Sequence, residues 1–178
     1  MTPEEIYRHT LEKIPAETLG ELAADAAQPW VTVAPEQLIE VLTVLRDDPA
    51  LDFDCLDCLT ATDFLDDGQI EMVYHLWSYT HEHLFVVKVR VGRDDPAVPS
   101  VSELWPAAEW YEREEYDMFG VRFTGHPNLT RLFLPDEWEG YPMRLDWKEK
   151  ETALGIPTTR PDPLVPKKGG ETGGAADA

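Results

Sequence analysis

The stretch Trp110–Trp147 reads W-Y-E-R-E-E-Y-D-M-F-G-V-R-F-T-G-H-P-N-L-T-R-L-F-L-P-D-E-W-E-G-Y-P-M-R-L-D-W. Its first third is patterned as a helix. Gly120 follows the Glu112–Phe119 block, where a helix C-terminus needs a residue that tolerates positive φ. Beyond it Gly125, His126-Pro127, Pro135, Gly140 and Pro142 interrupt every regular run. An irregular segment is ordinarily polar. This one carries Phe119, Val121, Phe123, Leu129, Leu132, Phe133, Leu134, Trp138, Tyr141, Met143 and Trp147, so it must pack on its own domain or on a partner. Arg113, Arg122, Arg131 and Arg144 are spaced through it, each able to fork onto a carboxylate.

Working outward from this arm, the preceding sequence supplies a body to hold it. Thr2-Pro3-Glu4-Glu5 is a helix start with a capping box, and Tyr7, Leu11 and Ile14 follow at helical spacing until Pro15. Ala16–Ala27 fits no single pattern. Trp30–Val33 reads as a short strand. Pro35 opens a second helix to about Asp47, with Leu38, Val41, Leu42 and Leu45 on one face. Leu51–Thr62 is expected as a strand whose alternation slips at Leu56, the mark of a bulge. Asp66-Asp67-Gly68 is a turn. Ile70–Tyr79, apolar on both faces, and Leu84–Val91 then form an antiparallel hairpin.

Ser100–Glu103 has the spacing of a capping box, and a helix is expected from about Pro106 to Phe119. Its predicted buried stripe is Ala107, Trp110, Tyr111, Glu114 and Met118, and a carboxylate there requires a charged or N–H partner. Arg113 and Asp117, four residues apart, are placed to pair along the helix surface. The whole is an α+β chain: a two-layer domain of helices on a mostly antiparallel sheet over residues 1–120, an irregular docking arm over 121–147, and an extended or disordered tail over 148–178. The tail, with Pro157, Pro161, Pro163, Pro166 and two Gly-Gly pairs, is too poor in apolar residues to form a core.

Length and charge narrow the functional classes. A chain of 178 residues is enough for one domain that buries about two-thirds of its unfolded surface. The net charge is −20, and residues 148–178 contribute nothing to it, holding five basic and five acidic groups. An acidic body of this kind argues against nucleic acid and anionic lipid as direct partners. The N-terminal residues have neither the basic nor the apolar region of an export signal, and no apolar run is long enough to span a bilayer.

Motifs for chemistry are sparse. Cys55-x-x-Cys58 is flanked by Asp52, Asp54 and Asp57, which should raise the thiol pKa, the reverse of a redox pair's needs. A zinc site would have to recruit His81 and His83. Iron–sulfur ligation by this chain is excluded by its two cysteines. No glycine-rich phosphate or dinucleotide loop and no G-x-S-x-G is present. Glu112, Glu114, Glu115, Asp117 and His126 could be drawn as an acid/base cluster, but a helix spreads such carboxylates around its circumference, which favours a charged face with one buried anchor.

The run Glu112-Arg113-Glu114-x-x-Asp117-Met118-Phe119-Gly120, with Gly125-His126-Pro127, Arg131-Leu132, Pro135-Asp136, Trp138-Glu139-Gly140 and Pro142-x-Arg144-x-Asp146, resembles the signature of the 30 kDa subunit family of respiratory complex I, the C subunit of NADH:quinone oxidoreductase. The resemblance reaches back through residues 99–111 and, more loosely, to about Pro35. Thr130, Leu145 and Trp147 depart from it, standing where the family usually has a basic residue, Lys and Tyr.

The resemblance implies a peripheral-arm subunit on the cytoplasmic side of the inner cell membrane, with no catalytic residue and no cofactor of its own. FMN, iron–sulfur clusters, NADH and quinone would belong to other subunits. It implies packing against the quinone-site D subunit, with the B and I subunits nearby. The docking residues it suggests are Glu112, Arg113, Glu114, Asp117, Phe119, Arg122, His126, Arg131, Phe133, Trp138, Glu139, Tyr141 and Arg144, with the arginines meeting partner carboxylates. Two alternatives stand beside it: the equivalent subunit of a membrane-bound hydrogenase or formate hydrogenlyase, and a free-standing thiol enzyme using Cys55 and Cys58.

Overall fold

In the computed structural model, residues 1–148, 152–153 and 156–157 are described. The chain divides into two units, Met1–Trp147 and Lys148–Ala178. In the second, Thr152–Ala153 pairs antiparallel with Ile156–Pro157, and the expectation of an extended or disordered tail otherwise lies outside the described residues.

The first unit has helix α1 (Pro3–Leu11), strand β1 (Trp30–Thr32), helix α2 (Leu38–Asp47) and strands β2 (Cys55–Phe64), β3 (Gln69–Ser78) and β4 (His83–Gly92). Strand β5 (Ala97–Pro99), helix α3 (Ala108–Phe119) and strand β6 (Arg122–Thr124) follow. The main sheet runs β1-β4-β3-β2. β2–β3 and β3–β4 are antiparallel, and β1 joins β4 in parallel, so the sheet is mixed and mostly antiparallel as expected. β5 and β6 form a separate parallel pair.

Local chemistry accounts for most of the boundaries. The Thr2 hydroxyl accepts from Glu5 N–H while the Glu5 carboxylate accepts from Thr2 N–H, closing the capping box of α1. The buried stripe of α1 is turned by one residue from the expected one, since Ile6 and Thr10 are enclosed and Tyr7 and Leu11 lie at its margin. Thr10 can be buried because its hydroxyl donates to Ile6 O. On α2, Leu38, Val41, Leu42 and Leu45 are all sealed from solvent, and each such side chain is worth about 1.5–3 kcal/mol of apolar burial.

The second strand begins four residues later than the alternation of Leu51, Phe53 and Cys55 suggests. Asp52 adopts a left-handed φ of 45°, and the N–H groups of Leu51 and Asp52 bond to Asp48 O, while that of Phe53 bonds to Leu45 O. Leu51 and Phe53 are thus buried on a turn that closes the end of α2 rather than on a strand. The expected slip is present as a register shift between Leu56 and Cys58. β3 is the central antiparallel strand. Ile70, Met72, Tyr74 and Leu76 enter the core with Phe85, Val87, Val89 and Val91 of β4. On its other face Glu71 is buried between Lys88 and Arg90, at 2.8 and 2.7 Å.

β2 is the sheet's edge strand, and α3 covers it. Side chains on and just before that helix satisfy backbone groups along the edge: Tyr111 Oη donates to Asp57 O, Trp105 Nε1 donates to Phe53 O, and Glu115 Oε2 accepts from Ala61 N–H. An edge protected in this way cannot recruit another strand there.

Candidate functional site

α3 starts at Ala108 with no side-chain cap, so the expected box at Ser100–Glu103 is not formed. Ser100 serves differently: its hydroxyl donates to Glu112 Oε2 at 2.6 Å, and Val101 N–H donates to Glu112 Oε1 at 2.7 Å. The buried stripe also differs from the expected one. It runs Ala108, Glu112, Glu115 and Phe119, joined by Asp117, while Trp110 is 57% exposed and Glu114 is only half-buried. The helix is clamped between an edge strand that offers N–H groups and a loop that offers Ser100 and Val101. Its carboxylates turn toward those donors, and its tryptophan turns outward.

Asp117 organises the arm. Its Oδ2 accepts from three consecutive backbone N–H groups, those of Leu132, Phe133 and Leu134, at 3.1, 2.8 and 2.9 Å. Arg131 Nη1 donates to its Oδ1 at 2.7 Å. Burial pushes this carboxyl upward, but the three N–H groups and the guanidinium outweigh it and hold Asp117 below the ordinary carboxylate range. The expected Arg113–Asp117 pair is therefore replaced. Arg113 donates to Thr130 O and Arg131 O instead, reinforcing the same turn from the other side, and its guanidinium lies over the exposed Trp110 ring.

The rest of the arm is fastened in the same manner. Arg131 Nη2 also donates to Trp138 O. Trp138 stacks on Trp147 with centroids 5.9 Å apart. Gly120 has φ +75°, and the Tyr141 ring lies so close that a Cβ there would stand 2.4 Å from it. Arg144 donates to Phe119 O, where α3 ends, and covers the Tyr141 ring. At the far end Asp63 accepts from both Arg93 and Leu145 N–H, and Arg93 also binds Asp146. Against the expectation of an irregular arm from residue 121, Arg122–Thr124 forms β6; beyond it the segment is irregular but ordered, and within the Met1–Trp147 unit it is tied to α3 and β2 by side chains.

The predicted docking residues separate into two groups. Glu112, Asp117 and Phe119 are buried, the His126 ring is enclosed, and Arg113, Arg131 and Arg144 bond to atoms of their own chain. Arg122 reaches Asp95 in an exposed pair. Tyr141 and Trp138 turn toward Gly120 and Trp147. Phe133, by contrast, is 64% exposed, and Met143 and Leu145 are exposed further along the arm at 56% and 69%. Glu139, whose backbone carbonyl accepts from Trp147 Nε1, lies at the surface.

Sequence reasoning set Glu115 aside as part of a charged helix face, although it is buried to 4% exposure, and it missed the Asp63–Arg93–Asp146 set. The spacing of Glu115, three after Glu112 and four before Phe119, was the available signal.

Burial raises the Cys58 thiol, and Asp57, Glu115 and Glu114 raise it further, so the thiolate is disfavoured. Nε2 of His81 meets Pro49 O and Nε2 of His83 meets Leu51 O, away from metal-ligand duty. Among the described residues no group of three or more His, Cys, Asp and Glu could hold a metal ion, and no helix is long and apolar enough to cross a membrane.

The family described as "Respiratory-chain NADH dehydrogenase, 30 Kd subunit" matches residues 31–153. The C subunit of the NADH-quinone oxidoreductase of Roseiflexus castenholzii is 47% identical over 117 residues, 65% of this chain and 67% of that one. That of Chloroherpeton thalassium is 39% identical over 155 residues, 86% of this chain and 64% of that one. The chain thus spans about two thirds of the length of these relatives. Among solved structures, the trypsin-resistant fragment (1–134) of Nqo5 superposes with a TM-score of 0.59 at 29% identity, covering 70% of this chain and 99% of that one. A chain of the membrane-bound sulfane sulfur reductase, an archaeal respiratory membrane complex, gives 0.67 at 30% identity, covering 82% and 85%.

Proposed function

Since the chain belongs to the 30 kDa subunit family of respiratory-chain NADH dehydrogenase, we propose that it is a non-catalytic peripheral-arm subunit of a proton-pumping NADH:quinone oxidoreductase. In this reading it binds no cofactor. FMN and the iron–sulfur clusters sit on other subunits, and the chain packs against the quinone-site D subunit, with the B and I subunits nearby, on the cytoplasmic side of the membrane. Its contribution to electron transfer from NADH to quinone is to fix the geometry of the subunits that carry the redox groups.

One observation about the site supports a docking role. The arm's backbone is held in place by Asp117, Arg113 and Arg144, yet Phe133, Met143 and Leu145 face solvent. Large apolar side chains presented on a pre-fixed backbone lose little entropy on binding, which is what an anchor residue requires. Phe133 is then the principal anchor. Arg131 and Asp117 act as positioning residues rather than as contacts. Arg122, exposed and paired among the described residues only with the still more exposed Asp95, is the arginine able to exchange its partner for a carboxylate on another chain.

A second reading is favoured by one observation, the likeness to a chain of the sulfane sulfur reductase complex. In that reading the chain serves a related membrane complex of the hydrogenase or sulfur-reducing kind. Purification from native membranes through a C-terminal tag separates the two. Co-elution of flavin, iron–sulfur and membrane-arm subunits with inhibitor-sensitive NADH:quinone activity is the expected result. Co-elution of a nickel or sulfur-reducing large subunit without the flavin subunit would assign the second. Phe133→Ala in the same strain should weaken retention by about 2 kcal/mol or more, seen as loss of the chain from the complex on dilution.

A further inference from the structure

Glu112 and Glu115 stand one turn apart on the face of α3 that meets the sheet, at 0% and 4% exposure. Tyr74 of β3 is fully buried, its hydroxyl has no hydrogen-bond partner among the described residues, and it feels the charge of both carboxyls. No cation among the described arm residues answers them. The guanidinium of Arg131 is bound to Asp117, that of Arg113 to the carbonyls of Thr130 and Arg131, and that of Arg122 on β6 to Asp95.

His126, whose Nε2 is 4.0 Å from Glu112 Oε2, is also no counter-charge. Its Nδ1 accepts from Asn128 N–H at 2.9 Å, and its Nε2 lies 3.0 Å from Glu109 O. That pattern needs the neutral ring with its proton on Nε2, because an imidazolium has no lone pair for Asn128. From β2 the titratable neighbour is Cys58, and from α3 itself Glu114, both anionic when charged. Ser100, Val101 N–H, Ala61 N–H and Thr60 are neutral donors.

Two carboxyls and a phenol enclosed together without a cation cannot hold two negative charges cheaply, and neutralisation by protons is the available route. We propose that Glu112, Glu115 and Tyr74 form an internal proton-binding site beneath α3, and that its protonation couples solution pH to how tightly α3, and the arm fastened to its end, are held on the sheet. The site's ligand is the proton itself, taken up as the chain folds and released when the helix is freed. Burial raises Glu112 to about 7 against donation by Ser100 and Val101, and burial with Glu114 raises Glu115 to about 8 against donation by Ala61 and Thr60. These shifts agree with the geometry in direction. A folded pKa raised above the ordinary carboxyl value of 4.5 gives stability that is complete below that value and is lost as pH rises through the folded one.

The inference does not depend on the partner complex. The purified full-length chain is unfolded with urea across the window from about pH 5 to about pH 9, and its protonated-carboxyl C=O stretch is followed by difference infrared spectroscopy. The denaturation midpoint should fall as pH rises through the window. Two buried protonated-carboxyl bands should be present near neutrality, one lost in Glu112→Gln and the other in Glu115→Gln. Glutamine imitates the neutral acid, so both variants should come nearest the parent at the acid end of the window, exceed it increasingly as pH rises, and flatten the pH dependence when combined. Absence of both infrared bands in the parent at neutral pH overturns the proposal even if the variants fail to fold. So does a Glu115→Gln variant that loses as much stability at the alkaline end as at neutrality, the behaviour of a carboxylate needed as an anion.

Discussion

Asp117 and Glu115 stand two residues apart on α3, at 0% and 4% exposure, and are held in opposite electrostatic states. Asp117 meets Arg131 and three N–H groups of a turn whose backbone points inward, and is stabilised as an anion. Glu115 meets one backbone N–H, a threonine hydroxyl and another glutamate, and is pushed toward the neutral acid. Both are closed to solvent, but Glu115 lies deeper, and burial is the largest influence raising it, whereas the donors around Asp117 outweigh the effect of burial there. Asp117 faces an irregular chain that wraps three N–H groups around it, whereas Glu115 faces an edge strand that gives it the single N–H of Ala61.

The contrast can be broken most directly at Asp117. Replacing it with alanine leaves Arg131 and three N–H groups without their acceptor, and should cost about 3–5 kcal/mol in urea unfolding, with altered Trp138 and Trp147 fluorescence as the arm detaches. Because its carboxyl is held below the ordinary value, its stabilisation is present above pH 3.8 and is lost as pH falls through the lowered pKa. Asp117→Asn should remove that acid limb. If the arm stays in place in Asp117→Ala, the anion is not what holds it.

Gly120→Ala tests the next join. It puts a Cβ at φ +75° against the Tyr141 ring, and a loss of about 2–3 kcal/mol in thermal unfolding is expected. Tyr141→Ala in the same background should recover the steric part and leave the backbone part. Arg93→Ala sharpens the comparison from the other end of the arm. It leaves the buried Asp63 with Leu145 N–H alone, and should cost about 1–3 kcal/mol while moving Asp63 from the lowered pKa range of Asp117 toward the raised one of Glu115. Arg122→Ala removes an exposed pair and should change stability by less than about 0.5 kcal/mol, so an effect confined to complex assembly would identify it as a partner contact.

Several features are legible in the sequence for particular reasons. The capping box at Thr2–Glu5, the four-residue apolar stripe of α2, the bulge after Leu56 and the left-handed Gly120 each depend on neighbours in sequence. The signature run is legible as a unit, and the family follows from it. The assignment of roles within that run is not. A rule that turns apolar residues inward gives the helical stripe Ala107, Trp110, Tyr111, Glu114 and Met118. In the fold that face is occupied by Ala108, Glu112, Glu115 and Phe119, because an edge strand and a loop present donors there. Likewise, the resemblance sends the four arginines toward partner carboxylates, whereas three of them close the arm onto its own helix.

By itself, then, the sequence determined the α+β class, the order of the helices and of the four main-sheet strands but not β5 and β6, the break at Gly120 and membership of the family, since periodicity, turn chemistry and motif spacing are local properties. Only the tertiary structure decided which carboxylates are anions and which are acids, which arginines are already occupied, and which of the arm's aromatic residues face outward. Those outcomes depend on donors and rings brought together from distant positions in the chain: Ala61 with Glu115, Asp63 with Leu145, Gly120 with Tyr141. No periodicity records such distances. They are fixed by how α3 lies along the sheet edge and where the chain must pass to return to it.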